Sequence, residues 1–274
     1  MGEGLVDFLN VMANAERTTA QKRKSSLLLR TALPIALLIA VQCGVSSCGV
    51  RLKTSTEYLV AGNEYFKIGD YKNAEKEYRE ALKQDPKSAT AKNNLGVILN
   101  ELGRYDEAVA ILEEAVNADP KNSIARYVLA MALTHKGQFD QAMDHARQAT
   151  ELDPKEPQAY KALGDAAMGR GDVKTAVEAY RSATIVDPTN DANHHRLAEV
   201  LGQADDLEGQ ILEENKSLEL NPGNQDARIG LALAFKKKGD KQDAVAQLKK
   251  VLEDDPDNAD AKKYLSEIDA PAAQ

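Results

Sequence analysis

The stretch NNLGVILNELGRYDEAVAILEEAVNADP, residues 93–120, decides the fold. Leu95 and Leu99 stand one helical turn apart, Gly103 interrupts, a second apolar-periodic run follows, and Asp119-Pro120 closes it. Pro120 is one of six prolines on a fixed spacing: Pro86, Pro120, Pro154, Pro188, Pro222 and Pro256, each 34 residues after the last. An Asp precedes five of them (Asp85, Asp119, Asp153, Asp187, Asp255), and Asn221 stands in the remaining slot. A period in the range of about 20 to 50 residues marks a solenoid of stacked units.

Counting each proline as position 32 starts the first unit at Ser55. Position 8 is then always small: Gly62, Gly96, Ala130, Gly164, Ala198 and Ala232. Position 20 is Ala74, Ala108, Ala142, Ala176, Gln210 and Ala244; position 27 is Ala81, Ala115, Ala149, Ala183, Ser217 and Val251. Small residues at 8 and 20 let two antiparallel helices approach closely, and a small residue at 27 lets the second pack on the next unit. Larger apolar residues at 7 and 11 (Leu95 and Leu99, Leu129 and Leu133) share one helical face. Position 15 is Gly69, Gly103, Gly137, Gly171, Asp205 and Gly239, where a left-handed residue ends the first helix cheaply. The proline cannot continue the second helix.

This pattern resembles the tetratricopeptide repeat family: apolar 7, small 8, apolar 11, Ala 20, bulky 24, Ala 27 and Pro 32, matched in five of six copies over residues 55–258. The family's Trp at position 4 is absent throughout. The resemblance implies an all-α fold, an α-solenoid of six helix hairpins wound into a right-handed superhelix. The units fall at 55–88, 89–122, 123–156, 157–190, 191–224 and 225–258. A capping helix is expected at 259–269, where Ala261, Tyr264, Leu265 and Ile268 form an apolar stripe with charge on the other face. Residues 270–274 are expected to be a loose tail.

The fifth unit breaks the rule. Asp205, Gln210, Glu214 and Ser217 replace the residues expected at 15, 20, 24 and 27. Burying Gln210 and Glu214 unpaired costs on the order of several kcal/mol. The helix must rotate, pair these groups or loosen, and Leu207, Ile211 and Leu218 offer an alternative stripe for rotation. Repeat decay, a hinge and a partner contact all remain open.

Residues 1–47 read as a leader, and 48–54 as a short tether. Arg17, Lys22, Arg23, Lys24 and Arg30 make a basic stretch, and Thr31 to Val50 carries no charge. The strongly apolar run from Ala32 to Val41 is too short for the roughly 20 helical residues a bilayer needs. It reads as a secretory signal. Val45-Ser46-Ser47-Cys48 resembles the bacterial lipoprotein box, which implies cleavage before Cys48 and lipid on its sulfur. Three readings stay open: a lipoprotein, whose long leader would be shortened by initiation at Met12 instead of Met1, an uncleaved anchor helix, and a cytoplasmic protein with the leader a mispredicted start or a tail. The first two keep the basic flank in the cytoplasm and put the repeats at the cell envelope on the extracytoplasmic side. Thr54 and Glu57 can form a capping box at the first helix. The tether reaches at most about 20 Å, so the repeats lie close to the membrane.

The net charge is −8; residues 1–50 carry five basic and three acidic groups, leaving −10 on the rest. Such an array repels nucleic acid and suits a basic partner. Cys43 and Cys48 are the two cysteines, both before the repeats, so the repeats hold no disulfide or thiolate metal site. No phosphate-binding loop, HExxH motif or nucleophile elbow occurs, so no catalytic residue, cofactor or small-molecule substrate is expected. His195 and Glu199, one turn apart, are read as surface and groove residues and not as metal ligands.

In the family the concave face is lined by positions 2, 5, 9 and 12 of each first helix. The residues expected to hold a partner's peptide are Leu59, Asn63, Phe66, Asn93, Val97, Asn100, Tyr127 and Met131. Amides at Asn63, Asn93 and Asn100 can donate to and accept from a peptide backbone, while Phe66, Tyr127 and Met131 suit side chains. Of the lysine, asparagine and arginine clamp of chaperone-binding members only Asn63 is present; Leu59, Val97, Ile124 and Val128 stand in its other places. Six repeats behind a lipoprotein-like signal look like pilotin-type proteins of pilus or secretin assembly; a cytoplasmic adaptor or chaperone is the alternative.

Overall fold

The computed structural model describes residues 53–269. The calls at Cys48, Met12 and the leader, and most of the tether and the 270–274 tail, lie outside these residues. Six antiparallel helix pairs follow one another: α1 (Ser55–Lys67) with α2 (Tyr71–Gln84), α3 (Ala89–Glu101) with α4 (Tyr105–Ala118), and α5 (Ser123–His135) with α6 (Phe139–Leu152). Then come α7 (Pro157–Arg170) with α8 (Val173–Val186), α9 (Asp191–Gln203) with α10 (Leu207–Leu220), and α11 (Gln225–Lys238) with α12 (Lys241–Asp254). A last helix, α13 (Ala259–Asp269), packs on α12 and α11. All thirteen elements among the described residues are helices, and each packs mainly on its neighbour in sequence, which makes the array an α-solenoid.

The hairpins close because helix backbones meet where side chains are absent. A Cβ on Gly62 would fall 2.4 Å from the Tyr78 ring, and one on Gly96 would fall 2.6 Å from Leu112. Position 24 of the second helix therefore lies directly over position 8 of the first. The Asp-Pro step has its own hydrogen-bond logic. Asp85 accepts from the Lys87 backbone N–H at 3.1 Å, and Asp119, Asp153, Asp187 and Asp255 repeat the bond two residues on. Asn221 makes the same bond to Gly223, which is why Asn substitutes for Asp there. At the start of the array Thr54 and Glu57 form the capping box: Thr54 N–H donates to Glu57 Oε2 at 2.8 Å, and Glu57 N–H to Thr54 Oγ1 at 3.2 Å. At its end Ala261 and Ile268 are buried and Tyr264 and Leu265 pack beside them, closing the core.

The apolar core is not continuous. One cluster runs from Phe66 to Leu201 and a second from Ala232 to Ile268. Between them the buried residues of α10 are Glu213, Glu214 and Ser217. The rotation onto Leu207, Ile211 and Leu218 does not occur: Glu214 and Ser217 are fully buried, those three are only half-buried, and Leu212 is 55% exposed. The fold keeps the family register, and the misfit is resolved by pairing. A rotated α10 would lose the Asn224 Nδ2 to Ser217 Oγ bond (3.2 Å) and the carboxyl contacts described below.

Asp205 takes the left-handed conformation that glycine takes at this position in the other five repeats, with φ 65°. Its carboxylate meets Lys237 Nζ at 2.6 Å, both side chains more than half exposed. An exposed pair of this kind offsets little of the backbone cost. Asp205→Gly is expected to raise the melting temperature by about two to four degrees, read by thermal unfolding followed by circular dichroism.

Candidate functional site

The first helices of successive repeats pack directly on one another, α3 on α5 and α5 on α7. This covers part of what each repeat presents to the concave side. Leu59, Asn63, Val97 and Met131 remain half-buried. Phe66 and Tyr127 lie in the core at 3% and 2% exposure, and Asn93 and Asn100 are 5% and 9% exposed. Phe66 packs on Tyr71 with ring centroids 5.8 Å apart.

Asn93, Asn94 and Asn100 each spend a donor within the protein. Asn93 Nδ2 donates to Asn122 Oδ1 (3.4 Å), Asn94 Nδ2 to Asn63 Oδ1 (3.0 Å), and Asn100 Nδ2 to the Val128 carbonyl (3.3 Å). Asn63 Oδ1 also accepts from Tyr78 Oη at 2.7 Å. What is left are acceptors: the Oδ1 atoms of Asn93, Asn94 and Asn100 are buried without a protein partner, and so is Tyr127 Oη. Burial raises the Tyr127 phenol, with the Glu156 and Asp153 charges adding to it, so Tyr127 stays a neutral donor and acceptor. Asn94 belongs to this polar group although the positional rule for the groove passes over it.

The second half of the array holds a cavity of about 970 Å³ between α9, α10, α11 and α13. Its lining includes His195, Glu199, Ile229 and Leu233, which groove positions mark in the sequence, together with Glu214 and Gln210 from the anomalous helix. Glu214 occupies position 24 but crosses toward the next repeat. Its Oε2 lies 2.9 Å from His195 Nδ1, and its Oε1 is buried with no partner. A Cβ on Gly230 would fall 2.1 Å from that Oε1. Gly230 sits inside α11, where glycine costs about 1 kcal/mol of helix propensity, and the carboxyl of Glu214 is the physical reason for it. Gln210 Nε2 donates to the Gly230 carbonyl at 3.4 Å.

Two His–Glu pairs link α9 and α10. His194 Nδ1 is 2.6 Å from Glu213 Oε2, and Lys216 Nζ reaches the other Glu213 oxygen at 2.8 Å. Burial opposes the Glu213 charge, but Lys216 and His194 outweigh it and hold that carboxyl below the usual range. Glu214 behaves oppositely: burial pushes it up to about 7, and His195 only partly restrains the rise. Burial works against charge on His195 too, yet the hydrogen bond and charge of Glu214, with Glu199, raise it above its ordinary 6.5. Among the described residues no three His, Cys, Asp or Glu side chains are placed to hold a metal ion.

Tetratricopeptide repeat profiles match residues 59–123 in one case and 99–166 and 210–268 in another, together more than half of the chain. The chain belongs to the tetratricopeptide repeat family. It is similar to PilW, a widely conserved type IV pilus biogenesis factor, with a TM-score of 0.71 at 19% identity over 77% of this chain and 98% of that one. It is also similar to PilF of Pseudomonas aeruginosa, with a TM-score of 0.66 at 17% identity over 78% and 97%. The Cut9–Hcn1 assembly of APC/C contains a chain matched with a TM-score of 0.70 at 18% identity over 79% of this chain. The match takes in 43% of that chain, so this protein spans less than half of its length. At these identities the likeness establishes the fold. Comparison with curated protein sequences finds no match.

Two predictions follow from Glu214. Gly230→Ala is expected to destabilise the protein by about 1–3 kcal/mol through overpacking against its carboxyl. In a Glu214→Ser background the same change should be neutral or stabilising by up to about 1 kcal/mol, a coupling that a urea-denaturation double-mutant cycle reads directly.

The second concerns pH. Glu214 rises from 4.5 to about 7 on folding and His195 rises above 6.5, so the folded pair holds a proton more tightly than the unfolded chain. Its stabilising contribution is present at low pH and is lost as pH climbs through that window. Glu199 and Asp226, the other charges acting on Glu214, raise it further and do not reverse the sign. The carboxyls held low, Glu213 and Asp165, lose stability only as pH falls below the ordinary carboxylate range. His145, held below its ordinary value by burial, acts in the opposite direction over the same window, so the contribution is read as a difference: between about pH 5 and pH 8 the urea midpoint of the wild type is expected to fall relative to that of Glu214→Gln.

Proposed function

We propose that this chain is a protein-interaction scaffold anchored at the bacterial cell envelope, holding an extended peptide or a helix of a partner in its concave groove, in pilus or secretin assembly. The observation that carries the reading is an array of six repeats whose fold matches PilW and PilF over 98% and 97% of those chains, standing behind a lipoprotein-like box at Cys48. Among the described residues no helix is long and apolar enough to cross a membrane, so in this reading attachment rests on lipid at Cys48 or on an anchor helix in the leader.

In the first half of the groove Leu59, Asn63, Val97 and Met131 would meet the partner. Asn93 and Asn100, whose carbonyl oxygens are buried without a protein partner, would accept its backbone N–H groups only where the first helices of neighbouring repeats part, and Phe66 and Tyr127 would back the surface. The acidic balance of the repeats favours a basic partner.

The test is photo-crosslinking in cells from Val97 and from Met131, with the captured protein identified by mass spectrometry. Capture of an envelope protein of pilus or secretin assembly is expected. Capture of cytoplasmic proteins alone would contradict export and favour the adaptor reading. Membrane attachment is tested separately by Cys48→Ala: the wild type is expected to carry lipid and to sediment with membranes, and the variant to do neither. An unlipidated wild type that still sediments with membranes would point to the anchor helix.

A further inference from the structure

We propose that the cavity between α9, α10, α11 and α13 is a second subsite of the groove, and that it takes a basic side chain, lysine or arginine, from the bound segment of the partner. This rests on the reading of the concave face as a docking surface, and it adds the chemistry that would be recognised there.

Three observations carry it. The first is charge. Five acidic side chains line the cavity: Asp191, Glu199, Glu214, Asp226 and Asp260. The lining cations are already committed. Arg196 holds Glu199 at 2.8 Å, and Lys237 pairs with Asp205 at 2.6 Å while its ammonium also lies 3.5 Å from the Gly202 carbonyl. Asp191 is met by neutral amides, its Oδ2 accepting from Asn221 Nδ2 at 3.0 Å and Asn224 Nδ2 at 3.1 Å. His195 is set against Glu214 at 2.9 Å, so that pair adds little net charge and the excess rests on Asp191, Asp226 and Asp260. Asp226 and Asp260 are exposed at the rim, so the cavity keeps a negative excess that attracts a cation.

The second observation is independent of the count. Glu214 is fully buried, yet its Oε1 has no hydrogen-bond partner. A buried carboxyl with an unmet oxygen is costly, and the cost is recovered when a donor arrives. Glu214 and Gly230 both line the cavity, so Oε1 lies just beneath its floor. Rotation about the last torsion of the carboxyl, which is broad, turns an oxygen toward an incoming ammonium or guanidinium, whose contact then replaces the one to His195.

The third is the wall. Ile229 and Leu233 lie one turn apart on α11 and give an apolar strip beside the carboxylates. A lysine or arginine fits such a strip, with its aliphatic stem on the wall and its charged head at the acidic end. An acidic or purely apolar side chain fits only part of it.

The probe is a library of random dodecapeptides displayed on phage, panned against the full chain in detergent micelles. Enriched peptides are then titrated calorimetrically against the wild type, Glu214→Gln, Asp226→Asn and Met131→Arg, the last to obstruct the other half of the groove. Enriched peptides are expected to contain a lysine or arginine. Its replacement by norleucine, and Glu214→Gln, should each weaken binding by about tenfold or more. Asp226→Asn should weaken it in the same direction by a smaller factor, and because that residue is exposed it serves as the variant whose folding is not in question. Peptides that bind Glu214→Gln and Asp226→Asn as well as wild type but fail on Met131→Arg would overturn the basic-side-chain subsite and leave the groove reading standing. Enriched peptides indifferent to all three variants, or no enrichment at all, would overturn both.

Discussion

Everything in this array depends on two helices meeting where one has no side chain in the way. Gly62 lies beneath Tyr78, and Gly96 beneath Leu112, at distances that a Cβ would make impossible. The hairpin closes where position 8 is small, and it gains its packing from an apolar position 24, Tyr78, Leu112, Ala146, Tyr180 and Leu248 in five of the repeats. Repetition of that contact every 34 residues sets the spacing of the helices, and the spacing sets the groove. The fifth repeat is the exception that shows the constraint at work. With Ala198 below and Glu214 above, the contact cannot be apolar, and the carboxyl turns instead toward the next repeat, where Gly230 makes room.

A polar seam thereby interrupts the apolar core. On one side is the cluster ending at Leu201, on the other the cluster beginning at Ala232, and between them are His194 with Glu213, His195 with Glu214, and the amides around Asp191 and Ser217. Breaking a buried pair by removing one partner is more damaging than never having had it, because the survivor is left charged and unmet. The seam therefore ties residues from α9, α10 and α11 into one interdependent set. It is also where the cavity opens, so the feature that costs stability is the feature that offers chemistry.

Much of the architecture is legible in the sequence because it is periodic. The prolines, the glycine at position 15 and the small residues at 8 and 20 each report a local backbone or steric need, and these needs recur from repeat to repeat, with Asp205 and Gln210 of the fifth as departures. The capping helix is legible from one amphipathic stripe, and the Thr54–Glu57 box from a three-residue spacing. The groove is less legible. Positions 5 and 12 face the concave side in principle, but Asn93, Asn100 and Tyr127 are covered by the first helix of the following repeat, and that cover depends on how tightly the array is wound. Gln210 and Glu214 stand out in the sequence as misfits, yet nothing local says how they are resolved. The answer needs His195 nineteen residues away and Gly230 in another repeat, neither of which breaks the pattern by itself.

The measurement that tests this account most directly is hydrogen exchange of the backbone amides of α10, compared residue by residue with α8 and α12. If the polar seam replaces the missing apolar contacts, the amides around Glu214 and Ser217 will be protected to the same degree as their counterparts in the neighbouring repeats, and Glu214→Ala will erase that protection in α10 and in the first half of α11 together. Fast exchange confined to α10 in the wild type would contradict it, because the fifth repeat would then be a loosened hinge and the pairing of Glu214 with His195 would hold nothing in place.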